Sequence, residues 1–245
     1  MFSLAILASI ATIAAVSIGG YRRRVDQVPN GRASAVLGPS IRGWYAENLL
    51  PFEEFCVRYG IPPALLSYTQ LVGSMLVGYC YAVGLLYTGG WLLLFTGTLD
   101  VIDGRVARRT NSGSPRGAFL DSVIDRYADG FALMGLAVFF RASWVLWVVL
   151  LASLGSLLVS YTRARAEGLG VECRVGLLQR EERYVILGFG TIFGALLEHI
   201  TGPWVGEVHY SGVILALLVV AVLSNFTALQ RVVHVWRALG VDRRA

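Results

Sequence analysis

Two short stretches hold the residue types that can do chemistry. The first runs Asp100-Val101-Ile102-Asp103-Gly104-Arg105-Val106-Ala107-Arg108. After eight further residues, the second runs Gly117-Ala118-Phe119-Leu120-Asp121-Ser122-Val123-Ile124-Asp125. On a helix, Asp100 and Asp103 share a face at i,i+3, and Asp121 and Asp125 share one at i,i+4. Between them, Arg109–Arg116 contains Gly113 and Pro115, which let the chain turn back and bring the two acidic faces together. Four carboxylates at close quarters cannot all stay ionised without a compensating cation. Hard divalent ions take oxygen ligands, and Mg²⁺ keeps open positions for phosphate oxygens. Two-metal phosphoryl-transfer sites use this arrangement. The expected metal set is therefore Asp100, Asp103, Asp121 and Asp125, holding two Mg²⁺ or Mn²⁺ ions. Gly104 and Ala107 are small residues on the same stretch. They allow either close approach of a ligand to the backbone or close helix packing.

The elements that must position these residues are membrane spans. Of 245 residues, 56% are hydrophobic and only 15% charged, and the mean hydropathy is +0.62. Such a composition excludes a disordered chain, a basic nucleic-acid-binding domain and an ordinary soluble enzyme. Cys56, Cys80 and Cys173 have neither disulfide-framework nor zinc-type spacing. A bilayer core about 30 Å thick asks for about 20 apolar residues per helix. Seven stretches qualify: Phe2–Gly19, Pro63–Gly84, Tyr87–Val101, Phe119–Phe140, Trp144–Ser160, Tyr184–Leu197 and Ser211–Leu229. Tight connections are expected at Gly89-Gly90, Arg141–Ser143 and Thr201-Gly202-Pro203. Gly31–Tyr59 mixes Trp44, Tyr45, Leu49, Leu50, Phe52 and Phe55 with charged residues. It reads as an amphipathic segment in the membrane interface, broken at Pro51. The predicted fold is an all-α polytopic membrane helix bundle. It has a six-helix core (62–237), an N-terminal hydrophobic helix (1–20), a juxtamembrane amphipathic segment (21–61) and a cytoplasmic tail (238–245).

There is no lysine, and all 21 basic residues are arginine. They concentrate before the second span, between the third and fourth, between the fifth and sixth, and after the last. The alternate connections hold little beyond Arg141. By the positive-inside rule the arginine-rich loops face the cytoplasm. The charge of Arg22–Arg24 follows the first apolar run rather than preceding it, which argues against a cleaved signal peptide. The acidic cluster falls at cytoplasmic span ends. A divalent-cation transporter, by contrast, would place its acids at the bilayer midplane.

The pattern Asp-x2-Asp-Gly-x2-Ala-Arg-x8-Gly-x3-Asp-x3-Asp, filled by Asp100, Asp103, Gly104, Ala107, Arg108, Gly117, Asp121 and Asp125, resembles the signature of the CDP-alcohol phosphotransferase family. The resemblance runs from about Pro62 to Arg237. It implies six transmembrane helices, a homodimer, and an active site open to the cytoplasm of a bacterial inner membrane. The implied reaction moves a phosphatidyl group from CDP-diacylglycerol to an alcohol and releases CMP. Asp100, Asp103 and Asp121 would ligate metal. Asp125 would complete the metal site and act as general base. Gly104, Ala107, Arg108 and Gly117 would line the CDP site.

Ser160-Tyr161-Thr162-Arg163-Ala164-Arg165-Ala166-Glu167-Gly168, Glu181-Glu182-Arg183 and Gln230-Arg231 further resemble the phosphatidylinositol phosphate synthase branch. That resemblance assigns Ser160, Arg163, Arg183 and Arg231 to the phosphate of inositol phosphate, a polar alcohol phosphate. Arg163 stands where the branch often has lysine, and only arginine offers phosphate a bidentate fork. Glu182 stands where the branch often has proline. Pro63-Ala64-Leu65-Leu66-Ser67 lacks the asparagine that many members carry there. Glycerol 3-phosphate is the alternative acceptor, because it also needs a basic pocket.

Overall fold

The computed structural model describes residues 39–201 and 210–241. Its elements are helices: α1 Pro39–Arg58, α2 Pro63–Ala82, α3 Leu86–Arg109, α4 Pro115–Phe139, α5 Val145–Glu167, α6 Arg180–Thr201 and α7 Ser211–Val241. The expected span Phe2–Gly19 and the turn at Gly202-Pro203 lie outside the described residues. By length and composition, Val145–Glu167, Arg180–Ile200 and Ser211–Gly240 are apolar enough to cross a membrane. The sequences of α2, α3 and α4 are diluted by the polar residues of the site. The protein is a multi-pass membrane protein.

Apart from α2, which stops at Ala82, each expected span that the structure describes is a helix longer than its apolar run, because the polar ends stay helical. The largest extension is at α7, expected to end at Leu229 and running on to Val241; α3, expected to end at Val101, runs on to Arg109. The whole first acidic stretch is thus helical. Pro115 opens α4 at its first turn, where a missing N–H costs nothing. Ser114 caps that helix by accepting a hydrogen bond from the Gly117 amide at 3.1 Å. At the other end, α7 continues through the start of the expected tail, to Val241.

Two local expectations are corrected. Gly89-Gly90 is not a turn: both glycines are buried inside α3. The reversal is made instead by Gly84, whose φ of +84° suits glycine. Pro51 does not break the amphipathic segment, because α1 runs through it. The ring of Pro51 removes one hydrogen bond, on a face where Glu47 and Pro51 are both exposed and water can satisfy the freed carbonyl.

The principal helix pairs are α2 with α3, α2 with α4, α4 with α5, α5 with α7, α7 with α6, and α6 with α3. They close a ring of six helices. α3 and α4 each pack on α2 more than on one another, which leaves a cleft between the two acidic faces. One apolar cluster fills the ring with Val77, Tyr81, Leu93, Leu136, Val149, Leu217 and their neighbours. A second, built from Leu49, Cys56, Leu66, Leu99, Ile102 and Val106, joins α1 to α2 and α3. The opposite surface of α1 leaves Leu50, Phe52 and Phe55 exposed. Exposed apolar stripes, such as Leu65, Tyr68, Val72, Met75, Leu76 and Tyr79 on α2, form the surface that acyl chains solvate.

Small residues set how tightly the ring closes. At Gly78 of α2, an added Cβ would sit 2.6 Å from the Phe131 carbonyl oxygen of α4; at Gly135 it would sit 2.8 Å from the Gly78 Cα. These contacts are backbone on backbone, so nothing nearby can rotate away. Overpacking a tight interface costs about 1–3 kcal/mol. Gly135→Val is therefore expected to lower the thermal unfolding midpoint in detergent by several degrees. Gly130→Ala, on the same helix with nothing within 4 Å of the added carbon, is expected to leave it unchanged or raise it.

Candidate active site at the carboxylate cleft

The two acidic faces meet. Asp100 and Asp103 of α3 and Asp121 of α4 each present a carboxylate oxygen, and these oxygens lie within 4.8 Å of one another. Polar residues of α2, which carries no charge of its own, orient two of the three. Ser67 Oγ donates to Asp103 Oδ2 at 2.7 Å, and Gln70 Nε2 donates to Asp100 Oδ1 at 3.3 Å. A carboxylate held by one oxygen keeps its plane fixed, and its other oxygen remains available as a ligand. Asp121 Oδ1 is buried with no hydrogen-bond partner. A buried, unpartnered carboxylate oxygen costs several kcal/mol unless a cation or donor satisfies it. Three hard oxygen donors, two of them pre-oriented and one unsatisfied, fit a divalent cation such as Mg²⁺ or Mn²⁺.

Asp125 lies one turn further along α4 and takes a different partner. Arg180, at the start of α6, places Nη1 2.6 Å from Asp125 Oδ1 and 2.6 Å from Asp100 Oδ1. Its Nε lies 3.3 Å from Asp129 Oδ1. Its Nη2 donates to the Tyr184 hydroxyl at 3.0 Å, and its guanidinium lies over the Tyr184 ring. The sequence expectation put all four aspartates around metal. The structure groups three, and Arg180 bridges Asp100 of that group to the fourth.

Of the residues assigned to the nucleotide, Gly104, Ala107 and Arg108 follow Asp103 on α3, and Gly117 precedes Asp121 on α4. Gly104 is half-buried, and an added Cβ there would meet only Arg108 Nη1, at 3.4 Å. Ala107 is half-buried, while Arg108 and Gly117 are exposed. Glu53 of α1 is buried and bridges back to the motif helix. It accepts from Arg105 Nε at 2.5 Å and from Arg109 Nη1 at 3.3 Å. Tyr45 adds a 2.7 Å hydrogen bond to Thr98. The amphipathic segment therefore braces α3 from outside the ring.

The four residues assigned to the acceptor phosphate come from α5, α6 and α7. Ser160 is half-buried. Arg163 donates through Nε to Glu167 at 2.9 Å. Arg183 is buried, donates Nη2 to Asp129 Oδ2 at 2.7 Å, and leaves Nη1 buried without a hydrogen-bond partner. Arg231 is buried and donates to the Val175 carbonyl at 2.9 Å and the Val159 carbonyl at 2.5 Å. Arg163 and Arg183 lie within electrostatic range of Arg231. Asp129 is ion-paired to both Arg183 and Arg180, so it links this basic group to the acidic one.

Sequence reasoning missed Arg180, Ser67, Gln70 and Glu53. Arg180 was counted only among topology-setting arginines. Its one available signal was its position three residues before Arg183, on the same helix face. Ser67 and Gln70 carry the i,i+3 spacing of a polar stripe on an otherwise apolar helix.

Residues 61–237 match the CDP-alcohol phosphatidyltransferase family. The chain belongs to that family. As a CDP-alcohol phosphatidyltransferase it is an enzyme, a transferase of substituted phosphate groups. It is 38% identical to an archaetidylinositol phosphate synthase of Methanothermobacter thermautotrophicus, over 74% of this chain and 87% of that one. It is 36% identical to a phosphatidylinositol phosphate synthase of Streptomyces avermitilis, over 83% and 84%. Among solved structures it is similar to the phosphatidylinositol phosphate synthase of Mycobacterium tuberculosis with CDP-DAG bound. The TM-score is 0.64, at 26% identity, over 76% of this chain and 92% of that one. The same synthase in complex with manganese and citrate aligns equally well, with a TM-score of 0.64 and 76% and 88% coverage. These matches agree with the sequence resemblance on family and branch.

If Ser67 orients Asp103 for a cation, Ser67→Ala should weaken divalent-ion binding while the helices stay folded. Residues that orient metal ligands are typically worth about 10–100-fold in affinity. Mn²⁺ titration followed by electron paramagnetic resonance on the purified variant measures the change. An unaltered affinity would remove Ser67 from the site.

Proposed function

We propose that this phosphatidyltransferase moves the lipid phosphate of CDP-diacylglycerol, or of a CDP-lipid of similar headgroup, to a hydroxyl of inositol phosphate, releasing CMP. The observation that carries the reading is the junction at Asp129. On one side of it stands a carboxylate cleft suited to a metal-bound diphosphate. On the other stands a basic group of Arg163, Arg183 and Arg231 suited to a second phosphate. The relatives support the acceptor in particular. Archaetidylinositol phosphate and phosphatidylinositol phosphate differ in their lipid and share the inositol phosphate headgroup.

In this reading Asp100, Asp103 and Asp121 would hold the first of two divalent ions, and Asp125 would help to hold the second. When bound, the ions neutralise the diphosphate and the charge that builds on it in the transition state. Gly104, Ala107 and Gly117 let the cytidine and diphosphate approach the helix backbone, and Arg108 closes over them. Ser160, Arg163, Arg183 and Arg231 hold the acceptor phosphate, which fixes the attacking hydroxyl over the cleft. Asp125 removes the hydroxyl proton. The hydroxyl oxygen bonds to the lipid-side phosphorus, the bond from that phosphorus to the bridging oxygen breaks, and the electron pair leaves with CMP. The arginine-rich span ends support a site on the cytoplasmic side of the inner membrane. The family resemblance supports a homodimer, whose mass in detergent light scattering measures directly.

The substrate assignment is tested by CMP release from purified enzyme with CDP-diacylglycerol and a panel of acceptors. Inositol phosphate is expected to be the best acceptor. Equal rates with free inositol would refute the phosphate pocket, and a preference for glycerol 3-phosphate would reassign the acceptor. Arg163→Ala removes a half-exposed guanidinium whose printed partner is Glu167. A hydrogen bond to a charged group is worth about 1.5–3 kcal/mol. The acceptor KM should therefore rise roughly tenfold or more, with the CDP-lipid KM nearly unchanged.

Asp100→Asn and Asp121→Asn should abolish CMP release in protein that still elutes as folded enzyme, and excess EDTA should do the same to the parent. Asp125→Asn should cut turnover by about 10²–10⁴-fold, the usual worth of a general base, with a smaller effect on CDP-lipid binding. Near-normal turnover in Asp125→Asn would move the base elsewhere.

A further inference from the structure

We infer that Arg180 is the built-in cation of the second metal position: its guanidinium neutralises Asp125 until the donor diphosphate brings a second divalent ion. The inference rests on the two-ion reading above and concerns this chain's own residue. Nη1 of Arg180 is shared, at 2.6 Å each, between the oxygens of Asp100 and Asp125. A point between those two carboxylates is where a bridging cation would sit, and a guanidinium nitrogen now occupies it. The other two carboxylates of the cleft are not treated this way. Asp103 is held by a neutral hydroxyl, and Asp121 keeps an unpartnered buried oxygen. One half of the cleft is therefore left open for a cation and the other half is filled.

The charge count favours this division. Asp100, Asp103, Asp121 and Asp125 bring four negative charges. Arg180 offsets one, and one divalent ion offsets two more. A second divalent ion in addition would overcharge the cleft, unless the diphosphate of the donor arrives with it. Arg180 is also built to stay. Its Nε and Nη2 are held by Asp129 and Tyr184, and Tyr184 underlies its plane. The Asp125 carboxylate can therefore turn from Nη1 to an incoming ion while the rigid guanidinium keeps its place on α6. Asp129 is shared with Arg183, so the positive charge no longer offset by Asp125 stays next to the acceptor's basic group. Filling the donor half of the site thus raises the attraction for an anionic acceptor.

The test counts bound Mn²⁺ on full-length protein in detergent by electron paramagnetic resonance, with and without CDP-diacylglycerol. Wild type is expected to bind one tight ion alone and two with the CDP-lipid. Arg180→Gln is expected to bind two without it. Arg180→Lys keeps the charge and should return to one. Two tight ions on wild type without the CDP-lipid would overturn the proposal, as would a single ion on a folded Arg180→Gln. If Arg180→Gln does not fold, the wild-type comparison alone decides. Failure of the underlying reading looks different: wild type would then bind no tight ion under either condition.

Discussion

The structure is organised around the cost of placing several carboxylates in one cleft between apolar helices. Ionised acids at such a position are tolerated only with compensating charge and donors. Every neighbouring element contributes to that compensation. α2 supplies neutral donors at Ser67 and Gln70. α6 supplies Arg180 and Arg183, which meet Asp100, Asp125 and Asp129. The remaining negative charge is what a divalent ion and a diphosphate are drawn to. The ring of helices exists to hold these groups at fixed spacing, and its glycine contacts make that spacing stiff.

Much of this was legible in the sequence, because the acids follow helical spacing and the arginines mark one side of the membrane. Asp100, Asp103 and Asp121 converge as their i,i+3 and i,i+4 registers require. What the sequence did not carry is which positive charges do more than set topology. Arg180 and Arg174 look alike as loop arginines. One enters the acidic cleft, and the other pairs with Glu172 at the surface. Hydropathy also misjudged Gly89-Gly90 and the helix ends. Glycine is punctuation in water, but in a membrane bundle it is equally a packing surface. Charged residues end an apolar run without ending a helix. Pro51 fails for the same reason: a single missing hydrogen bond on a solvated face is a small cost beside the packing of Leu49 and Cys56 on α3.

The relatives differ in lipid and agree in headgroup, and the architecture accounts for this. Acyl chains meet the outside of the ring, where exposed leucines, valines and aromatics impose little geometry. The headgroup chemistry meets buried arginines and carboxylates whose positions are fixed by specific hydrogen bonds. The interior of the ring fixes its polar groups by specific contacts, and its outer surface imposes little geometry.

The order of the ring has a consequence for biogenesis. α3 and α4, which contain all the aspartates of the cleft, are synthesised before α5, α6 and α7. The arginines that pair with them are on α6, which is made after α5. At translation rates of about 5–20 residues per second, the acids wait several seconds for their counter-charges. During that interval α3 and α4 have no built-in partner for Asp125 or Asp129, and the ring cannot close until α6 and α7 are inserted. Insertion of the carboxyl-terminal half is thus what converts a pair of marginal, acid-bearing spans into a stable wall of the bundle.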